Sequence, residues 1–175
     1  DPKVTQAKEV KHLQYINAGM IDTPELAIEE AYKETIHFAK ICRKELEYIK
    51  SAVESVNGSE FEVYREKLVK YENITDNIEF EVASFLNKLD RASLSESTMM
   101  RINALYRIVS ELESIGDSGE AISRILSRKG DESKDKLSEN SISIVRSFIG
   151  IIDRAFEAMI NNIENRNQIN SIENA

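Results

Sequence analysis

Glu72-Asn-Ile-Thr-Asp76 and Glu113-Ser-Ile-Gly-Asp117 repeat one pattern, a glutamate followed four residues later by an aspartate. At about 3.6 residues per turn, such a pair lies on one face of a helix. If the two helices pack together, four carboxylates converge. Carboxylates held that close repel one another and call for a positive partner. That partner is a metal ion, an Arg or Lys, or water carrying protons. Oxygen-only ligands suit hard cations such as magnesium, calcium, manganese or ferric iron. One cysteine and two histidines do not supply the usual closed zinc set. A solvated acidic helix edge has the same pattern, so the residues leave both readings open. Both pairs flank an apolar seam: Glu72 and Asp76 follow Tyr71 and Thr75, and Glu113 and Asp117 follow Leu112 and Gly116. Gly116 and Gly119 fall in mid-helix, where each costs about 1 kcal/mol relative to Ala. Glycines there allow close backbone approach or leave room for a ligand.

The histidines carry a competing pattern. Glu34-Thr-Ile-His37 and Glu9-Val-Lys-His12 both fit the Glu-x-x-His motif of di-iron bundles. That motif needs core helices, and His12 falls in an irregular stretch, so the plainer reading of His37 is a half-exposed side chain. There is no Gly-rich phosphate loop, His-Glu-x-x-His or nucleophile elbow. Cys42 sits on the apolar seam and reads as packing; Met99 and Met100 read as the start of a helix core. The expectation is a protein without catalytic residues. Two alternatives are a small di-metal carboxylate enzyme and a structural helical dimerisation module.

The positioning elements read as long helices. The chain has 175 residues, 41% hydrophobic and 31% charged, with two Pro, six Gly and no Trp. These numbers suit one all-α domain. The net charge of −8 argues against a phosphate-backbone partner, so no nucleic acid is expected. No apolar run approaches the roughly 20 residues of a membrane span. The first residue is Asp, from which a piece of a longer or processed chain is expected. A single cysteine suits a reducing compartment.

Residues 1–22 lack a sustained helical period and read as an extended arm or linker. A bundle is expected over 23–166 and a frayed tail over 167–175. The first helix starts at Thr23-Pro24-Glu25. Its seam is Ile28, Tyr32, Thr35, Ala39, Cys42, Leu46, Ile49, Val53 and Val56. Asn57-Gly58 ends it, with Gly58 expected in the left-handed region. Ser59-Glu-Phe-Glu62 reads as a capping box for the second helix, whose seam runs from Phe61 to Leu89. The third helix starts near Ser95, with Leu94 and Met99 as its hydrophobic staple. Its seam is Ile102, Leu105, Val109, Leu112, Gly116, Gly119, Ile122 and Leu126. Residues 129–135 read as a loop. The fourth helix, about 138–166, presents a broad apolar face of Ile142, Val145, Phe148, Ile149, Ile152, Ala155, Phe156, Met159 and Ile163. Short turns between long helices predict an antiparallel up-down bundle.

These residues carry a resemblance. Leu112-Glu-Ser-Ile-Gly-Asp117, followed by Ala121-Ile122, resembles the signature of PhoU-like helical domains, and Tyr71 to Glu79 resembles the matching motif on the preceding helix. Gln14-Tyr-Ile through Thr23-Pro-Glu-Leu-Ala resembles the segment joining such a domain to a bacterial sodium–phosphate cotransporter; Leu94-Ser-Glu and Ser127-Arg-Lys fit the same branch. The resemblance implies a PhoU-like bundle at the cytoplasmic face of the inner membrane. Its implied role is regulation or assembly, and its implied partners are the transmembrane domain of the same parent chain and a second copy in a homodimer. It also implies a metal cluster of iron or zinc, with magnesium or manganese as further candidates, on Glu72, Asp76, Glu113 and Asp117. The soluble PhoU proteins carry two tandem three-helix repeats, whereas this chain has one repeat and a fourth helix. Ser114 and Ser118 stand where the family often has Arg and His.

Overall fold

Four helices account for nearly all of the described residues, because charged helix formers alternate with apolar residues three and four apart. The computed structural model describes residues 13–16, 24–89, 94–132 and 136–173, with the backbone alone described for 129–132 and 166–173. The helices are α1 Pro24–Ser55, α2 Phe61–Asn87, α3 Glu96–Glu132 and α4 Glu139–Glu173. Among the described residues there is no strand. The class is all-α, a bundle of long helices. Residues 1–12 and 17–23 of the expected arm lie outside the described residues; 13–16 are non-helical.

α1 is the shared element. It packs against α2, α3 and α4, and α2 packs against α3. Its seam is buried from Ile28 to Val53, joined by Ala27, Ala31, Phe38 and Ala52. α4 is tied to α1 by charged side chains as well as by its apolar stripe. Arg43 places Nε 2.7 Å and Nη2 3.1 Å from the two Asp153 oxygens. Lys40 meets Glu164 at 2.7 Å, and Arg146 meets Glu54 at 2.7 Å. Partner numbers thus fall along α4 as they rise along α1.

Several local expectations change. Gly58 takes no positive φ: α1 closes on a tight turn in which Val56 N–H and Gly58 N–H donate to Val53 O and Ser55 O. Asn57 does other work, donating to Leu137 O at 2.9 Å and accepting from Leu137 N–H at 3.1 Å. It clasps the α1–α2 turn to the α3–α4 connection. The Ser59 capping box does not form; Glu60 holds the N-cap position with helical backbone angles and no side-chain cap bond. Ser95 caps α3 through Thr98 N–H at 3.2 Å, yet Met99 and Met100 turn outward. Leu94 and the buried Thr98 face inward there. α3 runs through Gly130 to Glu132 and α4 runs to Glu173, so neither the charged stretch after Lys129 nor the Asn-rich end breaks the helix where expected.

Candidate metal centre

Thr75 and Gly116 bring the two acid pairs together. Thr75 is buried on α2, its hydroxyl folded down to Tyr71 O at 3.1 Å and Glu72 O at 2.8 Å. A Cβ on Gly116 would fall 2.6 Å from Thr75 Oγ1 and 3.1 Å from its Cβ. α3 therefore approaches α2 at a point flanked by Glu72 and Asp76 on one side and Asp117 on the other.

Glu72, Asp76 and Asp117 each direct one carboxylate oxygen into a cluster whose members lie within 4.8 Å of one another. Glu72 is half-buried; Asp76 and Asp117 are exposed. Burial first, then the charges of Asp76, Glu120 and Asp117, push the Glu72 carboxyl above its ordinary value, opposed by Arg124. The Arg124 guanidinium is itself paired with Glu120 at 2.7 Å. An open groove of about 470 Å³ lies beside the trio, lined by Glu72, Asp117, Ser118, Glu120 and Arg124 among others.

Glu113 stands outside the converging trio. Its carboxyl is nevertheless raised, by burial first and then by Asp117, Glu79 and Asp76. Of the four candidate ligands, three share one cluster and Glu113 borders it. Three acceptor-only groups with open approach can hold a hard cation; without one they are a repulsive edge.

The sequence reading missed Glu45. This α1 residue is 1% exposed, and neither carboxylate oxygen has a hydrogen-bond partner. Burial pushes its carboxyl up to about 8, and the charges that reinforce the shift are Glu72 on α2 and Asp117 on α3. Gly119 makes its space: a Cβ there would lie 3.0 Å from Glu45 Cδ, closer still to Oε1, and 3.2 Å from Ile49 Cδ1. The available signal was Gly119 itself, a helical glycine on the buried face.

Glu34, also fully buried on α1, is satisfied on one oxygen only, since its Oε1 has no hydrogen-bond partner among the described residues. Its Oε2 accepts the backbone N–H groups of Gln14, Tyr15 and Ile16 at 2.9, 2.7 and 3.4 Å. His37 is half-buried, with its ring edge-on to Tyr15 at 6.3 Å, and is no member of the carboxylate cluster. His12 lies outside the described residues. The Cys42 thiol is buried, donates to Leu112 O at 3.5 Å, and is pushed well above its usual range by burial. A thiol in that state makes a poor nucleophile.

No family model, curated protein or solved structure matches the chain.

Proposed function

We propose that the chain is a non-catalytic, cation-binding regulatory domain, with a PhoU-like antiparallel up-down fold, serving sodium-dependent phosphate transport. The observation that carries the cation reading is the convergence of Glu72, Asp76 and Asp117 from two helices. A cation there ties α2 to α3 and so sets how the bundle presents its surface. The opposed numbering of the α1–α4 ion pairs supports the up-down arrangement. The tie to a transporter rests on the motif resemblance around Tyr71–Glu79 and Leu112–Ile122. Among the described residues no helix is long and apolar enough to cross a membrane; in this reading the chain lies at the cytoplasmic face of the inner membrane, against a transmembrane domain of the same parent protein.

The test is the elemental metal content of untagged protein purified without chelator, beside an Asp76→Asn/Asp117→Asn variant. Stoichiometric metal in the wild type and none in the variant is the expected result. Absence of metal from both would reduce the trio to a solvated edge.

A dimerisation module is the second reading, and α4 favours it. Ile144, Phe148 and Ile151 on α4 are at least half exposed, a surface that monomeric proteins seldom leave open. A second copy is the partner of choice for this face.

A further inference from the structure

α4 carries a second stripe on the side away from α1. Ile144, Phe148, Ile151, Ala155, Ala158 and Asn162 follow one another at steps of four, three, four, three and four, the spacing of a helix–helix seam. All six are exposed. Among the described residues α4 packs along α1 and along no other helix to a comparable extent, so the chain itself leaves this seam uncovered. A helix with apolar residues on two faces is built for two neighbours.

The seam is ordered by size: its three large side chains come first and its three smaller ones last. Laid antiparallel on a second copy, with a two-fold axis at the level of Asp153, each large residue meets a smaller one. Ile151 then faces Ala155, Phe148 faces Ala158 and Ile144 faces Asn162, and each pair occurs twice. A two-fold interface has to be self-complementary in this sense, and large-on-small layers interdigitate without voids. A parallel pair would instead stack Phe148 on Phe148 and leave a gap between facing alanines. Charge favours a second copy as well. Two chains of net charge −8 repel one another, and this seam holds no charged residue. Arg154, one position off the seam, places its guanidinium 3.8 Å from where a Cβ on Gly150 would stand. An anionic membrane surface would call for a row of Lys or Arg beside the apolar face. Between Glu139 and Glu164 only Arg146 and Arg154 are basic, and Arg146 is paired with Glu54.

We propose that α4 pairs antiparallel with α4 of a second copy, Phe148 and Ile151 of each protomer seated against Ala158 and Ala155 of the other. This rests on the dimerisation reading and gives it a face, a direction and a register.

The experiment joins sedimentation to disulfide trapping. Ile144→Cys and Asn162→Cys are made singly; the two positions lie 18 residues apart, about 27 Å along the helix. Under mild oxidation a mixture of the two variants is expected to form the mixed disulfide, and each variant alone none. Wild type, whose Cys42 is buried, is the control. Ala158→Phe adds apolar surface, yet it is expected to weaken the dimer at least about tenfold, because it collides with the partner's Phe148. Phe148→Ala/Ala158→Phe exchanges the two sizes and should restore most of that loss. No mixed disulfide, disulfides within each single variant, or a dimer unchanged or tightened by Ala158→Phe would overturn the antiparallel register and leave dimerisation standing. A wild-type monomer at high concentration would sink the register and the dimerisation reading together.

Discussion

The carboxylate of Glu45 on α1 occupies the space that a side chain at position 119 of α3 would fill. A buried acid and a helical glycine are thus two halves of one packing arrangement, and each can be perturbed alone. Gly119→Ala gains helix propensity of about 1 kcal/mol but drives a methyl into Glu45 and Ile49. Gly116→Ala meets Thr75 in the same way. Both are expected to lose roughly 1–3 kcal/mol net through overpacking. Gly150→Ala is the control: its nearest neighbour is the flexible end of Arg154 at 3.8 Å, so it should gain about 0.5–1 kcal/mol. Urea unfolding of the three variants checks the order; equal effects would mean the α1–α3 approach is loose.

In chelator, stability should depend on pH through Glu45. Its folded pKa, about 8, lies above the ordinary 4.5. The stability it contributes is complete below about 4.5, declines as pH rises, and is gone above about 8. The slope is at most about 1.4 kcal/mol per pH unit. The titrating and charged neighbours are Cys42 on α1, Tyr71 and Glu72 on α2 and Asp117 on α3. Glu45→Gln should flatten this slope and melt above wild type at pH 8. Parallel melting curves for the two proteins between pH 5 and pH 8 would contradict it.

Cation binding should appear as stabilisation. At a concentration about 100 times its Kd, a bound ion adds about 2.7 kcal/mol, or roughly 5–10 °C in a domain of this size. Asp76→Asn/Asp117→Asn should lose this rise and, in chelator, melt no lower than wild type, because two like charges are gone. Calorimetry with and without Mn²⁺ decides the point, and an equal rise in both proteins would place the ion elsewhere.

Glu34 holds the segment before α1 by three backbone N–H groups. Hydrogen bonds to a charged acceptor contribute about 1.5–3 kcal/mol each when buried. Glu34→Ala should lose several kcal/mol and, first of all, the exchange protection of the amides at residues 14–16. Protection that persists there would show that the segment is held by Ile16 packing alone.

The outer face of α4 should govern self-association. Phe148 is 60% and Ile151 55% exposed. Phe148→Glu together with Ile151→Lys is expected to shift sedimentation from dimer to monomer with a change in Tm of no more than a degree or two. A wild-type monomer at high concentration would remove the dimerisation reading.

The seams were legible because apolar spacing reports burial directly. Every α1 seam residue from Ile28 to Val53 is buried. On α3 the pattern slips by one residue at its end: Ser123 is buried where Ile122 was expected, since the three-four spacing through Gly116 and Gly119 continues to 123. The broad face of α4 divides. Ile142, Ile149, Phe156 and Ile163 turn inward, while Val145, Phe148 and Ile152 turn outward, because hydropathy alone does not say how many neighbours a helix has. The pairing of Glu72 and Asp76 with Asp117 was readable from spacing. Glu45 was not, because a charge beside a seam ordinarily reaches for water; only its relation to Gly119 on another helix keeps it inside.

Glu34 and Glu45 are eleven residues apart on α1, about three turns and roughly 16 Å, so the two buried acids lie on nearly the same face. One is loaded with the amides of the preceding segment; the other waits beside the carboxylate trio. α1 therefore carries both buried acids on one rod, so a substitution that shifts α1 at Glu45 is expected to disturb the hold of Glu34 on residues 14–16 as well.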